Sequence, residues 1–413
     1  MSRGGEALAR AIVLLLNHIY GGYALVGTRC LPQDAERAIL GRNDVKIPGE
    51  REMVAAKNLK FGFTAAAAAS DTDKTDATRY SQMLDDCRLG HQLGFDCAWV
   101  LEHHFTDYFP TPSPIVVMSH LAAACPGLSL GSSVIVAPWY NPLRLAEEIS
   151  MLSHFCTGEL HLAFGRGTAK LEYDAFDVDM STAKERFKEA MSIINRALSG
   201  EKFNHEGEHF RIGRTVALRP EPVRDRIHFY GAVGSRESAA GNADMGMPLL
   251  LNTQFPPHML SKVTGAWQER ADEIGFKPRG DRPISTNCVI ADSDEEAREA
   301  SRPYLAAFFA LQADHYEADA DHWKDIAGYE QFSKAFGNLR KMADPNNLDG
   351  FMDNQLIGSP ETIAGKIETY RDLGFDHFIL NCAREGWPTD MRETTMRRFA
   401  GEIAPRFKGL WAA

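Results

Sequence analysis

From residue 58 onward the chain alternates short apolar runs with longer amphipathic stretches. The apolar runs fall at Leu59–Phe63, Phe95–Leu101, Leu128–Ala137, Glu159–Phe164, Ile227–Val233, Pro248–Leu251, Ile284–Ala291 and His377–Leu380. They are brief and continuous rather than alternating, which is the pattern of strands covered on both faces of a parallel sheet. Between them lie stretches with helical spacing: Thr78–Leu93, Pro112–Ala124, Pro142–Phe155, Ser181–Leu198, Glu237–Met245, Pro257–Ile274, Asp294–Leu311 and Pro360–Leu373. Eight strands, each paired with a helix, predict a (β/α)8 barrel. An open doubly wound sheet is the alternative, but its usual Gly-x-Gly-x-x-Gly turn after the first strand is missing. Local punctuation agrees with the helices. Leu93-Gly94 and Leu373-Gly374 place glycine where a left-handed residue follows a last turn. Ser359-Pro360 supplies a cap and a first-turn proline.

Three segments fall outside this repeat. Residues 202–219 hold His205-Glu-Gly-Glu-His209 between Phe203 and Phe210, which predicts an inserted hairpin turning at Glu206-Gly207. Residues 312–350, rich in Asp, His, Asn and aromatic residues, predict a helical or loop insertion that caps the barrel mouth. Residues 1–57 contain no clear strand and are expected to be an amino-terminal extension, either flexible or an artefact of start-site choice with Met53 as the true start. The barrel domain then runs over 58–405.

Composition narrows the class. With 413 residues, 44% of them hydrophobic, the chain has apolar material for a large core. A net charge of −11 and the absence of any long basic run argue against nonspecific binding to nucleic acid or an anionic membrane. The apolar run Ala11–Leu16 is too short for a signal peptide or a span. Seven dispersed cysteines with no Cys-x-x-Cys pair read as reduced thiols, which places the protein in the cytoplasm and makes a zinc site an unexpected outcome.

The chemistry-bearing residues cluster just after predicted strands, the end of a (β/α)8 barrel that carries active sites. Glu102-His103-His104 follows the second strand. Histidine suits proton transfer near neutral pH, although a histidine that merely hydrogen-bonds inside the barrel has the same sequence. Gly165-Arg166-Gly167 follows the fourth and suits an anion, with glycines for close backbone approach and a planar guanidinium fork. Gly234-Ser235-Arg-Glu-Ser238 opens a helix, where free amides and the macrodipole favour phosphate and where Ser235 also serves as an ordinary cap.

Taken together, Lys60-Phe-Gly-Phe63, Glu102-His-His-Phe105, Leu130-Gly-Ser-Ser-Val134 with Pro138, Asn141-Pro-Leu-Arg-Leu-Ala-Glu147, Gly165-Arg-Gly167, Gly358-Ser-Pro-Glu361 and Gly374-Phe-Asp-His-Phe378 resemble the bacterial luciferase-like flavin monooxygenases over residues 58–400. The resemblance implies a two-component enzyme. Reduced FMN, delivered by a separate NAD(P)H:flavin reductase, would react with O2 through a flavin hydroperoxide and place one oxygen atom on a small organic substrate. It gives His103 the place beside the flavin, with His104 and Glu102 as neighbours in the catalytic group. It gives Arg166, Gly167, Thr168, Ser235 and Ser238 to the FMN phosphate, with Lys184 or Arg186 as the second cation. Arg186 could instead form a helix-surface pair with Glu189. It puts a non-proline cis peptide between Ser133 and Val134 beneath the ring; the alternative is a regular strand. It also implies a homodimer, or a related heterodimer, formed through the helices after the early strands. Thr64, Asn252 and Asn381, at strand ends, are candidate substrate contacts, and Trp139, Tyr140, Phe255 and Trp387 are candidate pocket walls. The chain departs from the family pattern at His154 and Glu159, which stand where the family carries an aspartate and an arginine. That exchange predicts an ion pair of reversed polarity. The alternatives are a deazaflavin-dependent hydride-transfer enzyme of the same superfamily and a flavin-binding protein without turnover.

Overall fold

The computed structural model describes residues 59–407 apart from 71–73, 279, 325, 327, 328, 330 and 331, and, at 324 and 332–335, the backbone only. The expected extension over 1–57 lies outside the described residues. Eight parallel strands close into a ring: β1 (Lys60–Ala65), β2 (Cys97–Val100), β3 (Ser129–Val136), β4 (Leu160–Gly165), β7 (Ile227–Ala232), β8 (Leu249–Asn252), β9 (Pro283–Ile290) and β11 (His377–Asn381). Register is continuous from Gly62 beside Cys97 round to Phe61 beside Phe378, and β8 closes onto β9 through Leu251 and Ile284. This is the predicted (β/α)8 barrel.

The crossing helices are α1 (Asp76–Gln92), α2 (Pro114–Ala124), α3 (Pro142–Phe155), a short α4 (Lys170–Ala175), α5 (Ala183–Leu198), α6 (Arg236–Asp244), α7 (Pro257–Glu273) and α8 (Asp294–His315). After them come α9 (Phe332–Met342), the short α10 (Asp349–Met352), α11 (Pro360–Asp372) and α12 (Thr389–Arg398). Polar side chains start them: Thr75, Ser113, Asn141, Ser235, Ser293 and Ser359 each accept from a first-turn amide. Two predictions need correction. The strand-to-helix pairing shifts by one at the end, because the helix expected at Pro360–Leu373 precedes the last strand and α12 is the helix that follows it. The helix expected to stop at Leu311 runs on to His315.

The expected hairpin forms as β5 (Phe203–Glu206) and β6 (Arg211–Val216). Glu189 of α5 pins it by accepting from the His209 and Phe210 amides, each at 3.0 Å, so Glu189 serves the hairpin rather than a surface pair with Arg186. A further strand, β10 (Leu356–Gly358), adds to the outer half of β9.

Apolar residues form three layers. The largest lies between strands and helices, from Phe61 and Leu130 to Ile363 and Phe399. A small one fills the barrel bore around Trp99, Tyr230 and Ile379. Gly62 and Gly131 make room for Trp99: a Cβ on either would come within 2.9 Å of the indole. The third layer roofs the carboxyl end of the strands, where Tyr108, Phe109 and Tyr173 meet Phe308, Phe309, Trp323, Tyr329 and Trp387. Half of that roof comes from the insertion over 312–350 and the helix leading into it, as expected for a cap.

The amino ends of the strands carry a half-buried polar cluster. The Lys60 ammonium sits 2.9 Å from Glu159 and 3.0 Å from Asp281. His161 lies 3.2 Å from Glu159, and His377 lies 3.4 Å from Asp281. The predicted pair of His154 and Glu159 does not form. His154 reaches the Glu221 carbonyl at 2.8 Å, and Glu159 turns to Lys60 and His161 because those groups share the barrel floor. His161, Asp281 and His377 have the side-chain types of a metal site, but the lysine ammonium already supplies the cation between the two carboxylates. No helix among the described residues is long and apolar enough to cross a membrane.

Candidate active site

The apolar run of β2 ends at Val100, and the chain then turns over the barrel mouth. The His103 amide donates to the Thr111 carbonyl at 3.2 Å, which folds residues 103–111 into a compact loop. Phe105 and Phe109 in that loop take φ values of 65° and 51°. Such values are costly for bulky side chains and persist where surrounding packing dictates them.

Within the loop the motif splits into supporting and presented groups. Glu102 is buried and accepts from the Val136 amide and the Tyr140 hydroxyl, both at 2.9 Å, while the His104 ring lies 3.2 Å away. Burial pushes its carboxyl up, against the pull of these donors. Glu102 and His104 therefore lock the end of β2 to the end of β3. His103 is different. Its ring packs on Tyr108 and His315, at 4.6 and 4.9 Å between centroids, and its buried Nδ1 has no hydrogen-bond partner. Burial first, and His104 second, pull its pKa down to about 3. The imidazole is neutral at physiological pH, with a nitrogen left over for a ligand.

Two residues that the sequence reading did not single out complete this corner. The Glu172 carboxylate accepts from the His104 amide at 2.7 Å and lies 3.8 Å from His103 Nδ1 and 3.5 Å from His315 Nε2. His315, at the end of α8, sits 2.7 Å from the Thr106 hydroxyl through Nδ1, and burial pulls it too down to about 3. Glu172 follows Arg166 closely in the chain, but His315 comes from the insertion, where nothing in the pattern marks it. His103, Glu172 and His315 also have the ligand types of a metal site. Glu172, however, is already engaged by a backbone amide.

A basic corner forms at β4 and β7. The turn after β4 is held by its carbonyls: Arg166 accepts from the Tyr173 hydroxyl, and Gly167 from the Tyr329 hydroxyl at 3.0 Å. Gly167 has φ of 76°, and a Cβ there would lie 2.8 Å from Val136, so the close turn requires glycine. The Arg166 guanidinium lies over the Tyr329 ring at 5.1 Å and pairs with no carboxylate among the described residues. Lys184 reaches the exposed Glu237 at 2.6 Å, and that carboxylate is held low by Lys184 first, then by Arg166 and Lys188. These cations therefore converge on the start of α6. There Ser235 caps the Ser238 amide at 3.2 Å and its hydroxyl bonds that of Ser238. A guanidinium, an ammonium, two hydroxyls and a helix amino terminus fit a phosphate monoester. Arg186 is not part of this corner. It donates to the Pro138 carbonyl at 2.7 Å and stacks on Phe210, so of the two expected cations only Lys184 points here.

The Ser133–Val134 peptide is cis, and β3 shifts register against β4 at that point. Of the expected substrate contacts, Thr64 hydrogen-bonds Asn381, whose amide donates to Ser285 at 3.0 Å. Asn252 instead accepts from the Gln254 amide at 3.1 Å and shapes its own turn. Trp139 packs on His104 and Tyr173, and Trp387 is fully buried in the roof, whereas Tyr140 serves Glu102 and Phe255 flanks the outer core.

Comparison with known proteins agrees with this arrangement. Residues 59–377 match the family model described as luciferase-like monooxygenase. A protein named y4vJ from Sinorhizobium fredii is 32% identical over 158 residues, 38% of this chain and 45% of its own length. The oxygenase component of the flavin-dependent trigonelline monooxygenase of Acinetobacter baylyi is 22% identical over 84% of this chain and 96% of its own. The monooxygenase RslO1 of Streptomyces bottropensis superposes with a TM-score of 0.71, at 23% identity, over 84% of this chain and 100% of its own. An F420-dependent secondary alcohol dehydrogenase does so with a TM-score of 0.65, at 18% identity, over 84% and 98%. The extent of the family match, on a closed barrel with histidines after β2 and a basic corner at β4 and β7, shows that this chain belongs to the luciferase-like monooxygenase family.

Proposed function

We propose that this chain is the oxygenase component of a two-component monooxygenase, using reduced FMN and O2 to place one oxygen atom on a small organic substrate. One observation carries this reading: a neutral His103 whose buried Nδ1 has no partner shares the barrel mouth with a corner that fits the FMN phosphate. A separate NAD(P)H:flavin reductase would supply the cofactor. When bound, reduced FMN supplies the two electrons with which O2 is activated.

The chain's own residues supply the rest. Arg166, Lys184, Ser235, Ser238 and the first turn of α6 hold the phosphate, and Gly167 lets the backbone approach it. The Ser133–Val134 segment, with its cis peptide, would lie beneath the flavin ring, as the family resemblance implies. The aromatic roof keeps water out, so reducing equivalents are not lost as peroxide. His103 holds or moves a proton at Nδ1, positioned by Glu172 and His315. Negative charge brought beside a desolvated imidazole raises its pKa toward the working range. Exposed Val116 on α2 with Met151 and Phe155 on α3 lie on the helices after early strands, which supports a homodimer through that face.

Anaerobic titration with reduced FMN tests the reading. The wild-type chain should bind, and Arg166→Ala should bind about 10- to 100-fold more weakly through loss of charge-assisted contacts. With reductase and isotopically heavy O2, the product should carry one heavy oxygen atom. Binding of reduced deazaflavin in preference to FMN, without oxygen transfer, would replace this reading by hydride transfer.

A further inference from the structure

We propose that Arg384 recognises a carboxylate on the substrate, so that the enzyme acts on small organic acids. The inference rests on the barrel mouth being the reaction site, and it adds the substrate's chemical class.

Arg384 lies three residues beyond Asn381, the end of β11, and is only 6% exposed. Its Nε and Nη2 share a single acceptor, Asn287 Oδ1, at 3.2 and 2.7 Å. The rings of Phe308 and Phe109 flank the guanidinium at 4.4 and 5.3 Å. No carboxylate pairs with it among the described residues. The adjacent Glu385 turns the other way, to Arg79 at 3.1 Å.

The contrast with the other buried arginines is what singles this one out. Arg79 faces Glu385, and Arg392 faces Asp86, as buried guanidinium groups require. Arg384 has only a neutral amide and two aromatic faces. Cation–π contacts with two rings offset only part of the cost of taking this ion out of water. Burial pulls its pKa down to about 10, so the group is still charged at neutral pH. A buried planar fork with its counter-charge missing is a carboxylate receptor.

Position separates this anion from the cofactor phosphate. In the ring order β1-β2-β3-β4-β7-β8-β9-β11, Arg384 follows β11, across the barrel from the basic corner at β4 and β7. Its neighbour Tyr108, whose hydroxyl accepts from Gln312 at 2.9 Å, stacks on His103. An acid anchored at Arg384 would extend along Tyr108 toward His103, between aromatic walls.

Benzoate is a suitable probe, with benzamide as its neutral isostere, titrated calorimetrically into the full chain with and without FMN. Benzoate should bind about 10- to 100-fold more tightly than benzamide, and Arg384→Met should erase that preference. Arg384→Lys, which keeps the charge but not the fork, should retain part of it; this variant covers the case in which the methionine chain does not fold. Saturating FMN and Arg166→Ala should both leave benzoate binding in place. The proposal is overturned if benzoate binds no better than benzamide, or if Arg384→Met keeps the preference. Exclusion of benzoate by FMN or by inorganic phosphate would overturn it as well, by assigning the anion to the cofactor site. Arg384-dependent benzoate binding in a chain that binds no FMN would sink the flavin reading and leave this one standing.

Discussion

His103 is held neutral by its surroundings and is the one imidazole of its motif with a nitrogen to offer. Its neighbour Glu102 spends its carboxylate on the Val136 amide and on the His104 ring, tying the end of β2 to that of β3. His103→Gln should therefore leave reduced-FMN binding near the wild-type value, since the basic corner is untouched, and lower the oxygen-transfer rate about 10²- to 10⁴-fold. Product formed per flavin oxidised is the quantity to follow; an unchanged yield and rate would remove His103 from the mechanism. That residue was legible in the sequence because it directly follows an apolar run, where barrel strands deliver their chemistry. Arg166, Ser235 and Ser238 were legible for the same reason, whereas Lys184 was named, with Arg186, only through the family resemblance. Glu172 and His315 were not, because their value lies in meeting His103 from distant parts of the chain. Arg384 also sits just past a strand, but an arginine in a loop is ordinarily solvated, and only burial without a carboxylate distinguishes it.

At the scale of elements, packing inside the barrel sets the strand positions. Trp99 fills the bore only because β1 and β3 place Gly62 and Gly131 against it. Gly131→Ala should force the indole to move and destabilise the fold by about 1–3 kcal/mol, read as a lower denaturant midpoint with an unchanged slope. No change in midpoint would mean that the bore is looser than the geometry requires. The barrel strands and their crossing helices were readable because each is a continuous apolar run or a periodic one. β10 escaped because it is three residues long and hangs on the outer half of β9. α12 escaped because its sequence is mostly polar. It buries Arg392 and Thr395 beside a single apolar residue, Met396, and the Arg392 guanidinium pairs with Asp86 of α1.

At the scale of the whole molecule, the two ends of the barrel are polar for different reasons. The floor joins Lys60, Glu159, His161, Asp281 and His377, and the mouth joins His103, Glu172 and His315. Burial pulls His161 down to about 4, and His103 and His315 to about 3. In the unfolded chain each would titrate near 6.5. As pH falls below about 6.5 the unfolded state takes up protons that the folded state refuses, so stability declines from there toward pH 4 and below. Glu159 and Asp281, held low in the fold, lose their contribution in the acid range as well. The unfolding midpoint should be highest at and above neutral pH and drop steadily from pH 6.5 to 4; a flat profile would mean that these histidines are solvated. The composition foretold a large core, but not an ionic floor, since the members of that floor are scattered along the chain. If the barrel mouth lets reduced FMN meet O2 productively, as proposed, stopped-flow absorbance of the protein–FMNH2 complex mixed against oxygenated buffer without substrate should show a long-lived absorbing species before oxidised FMN returns. Reoxidation as fast as that of free FMNH2, with no such species, would contradict it.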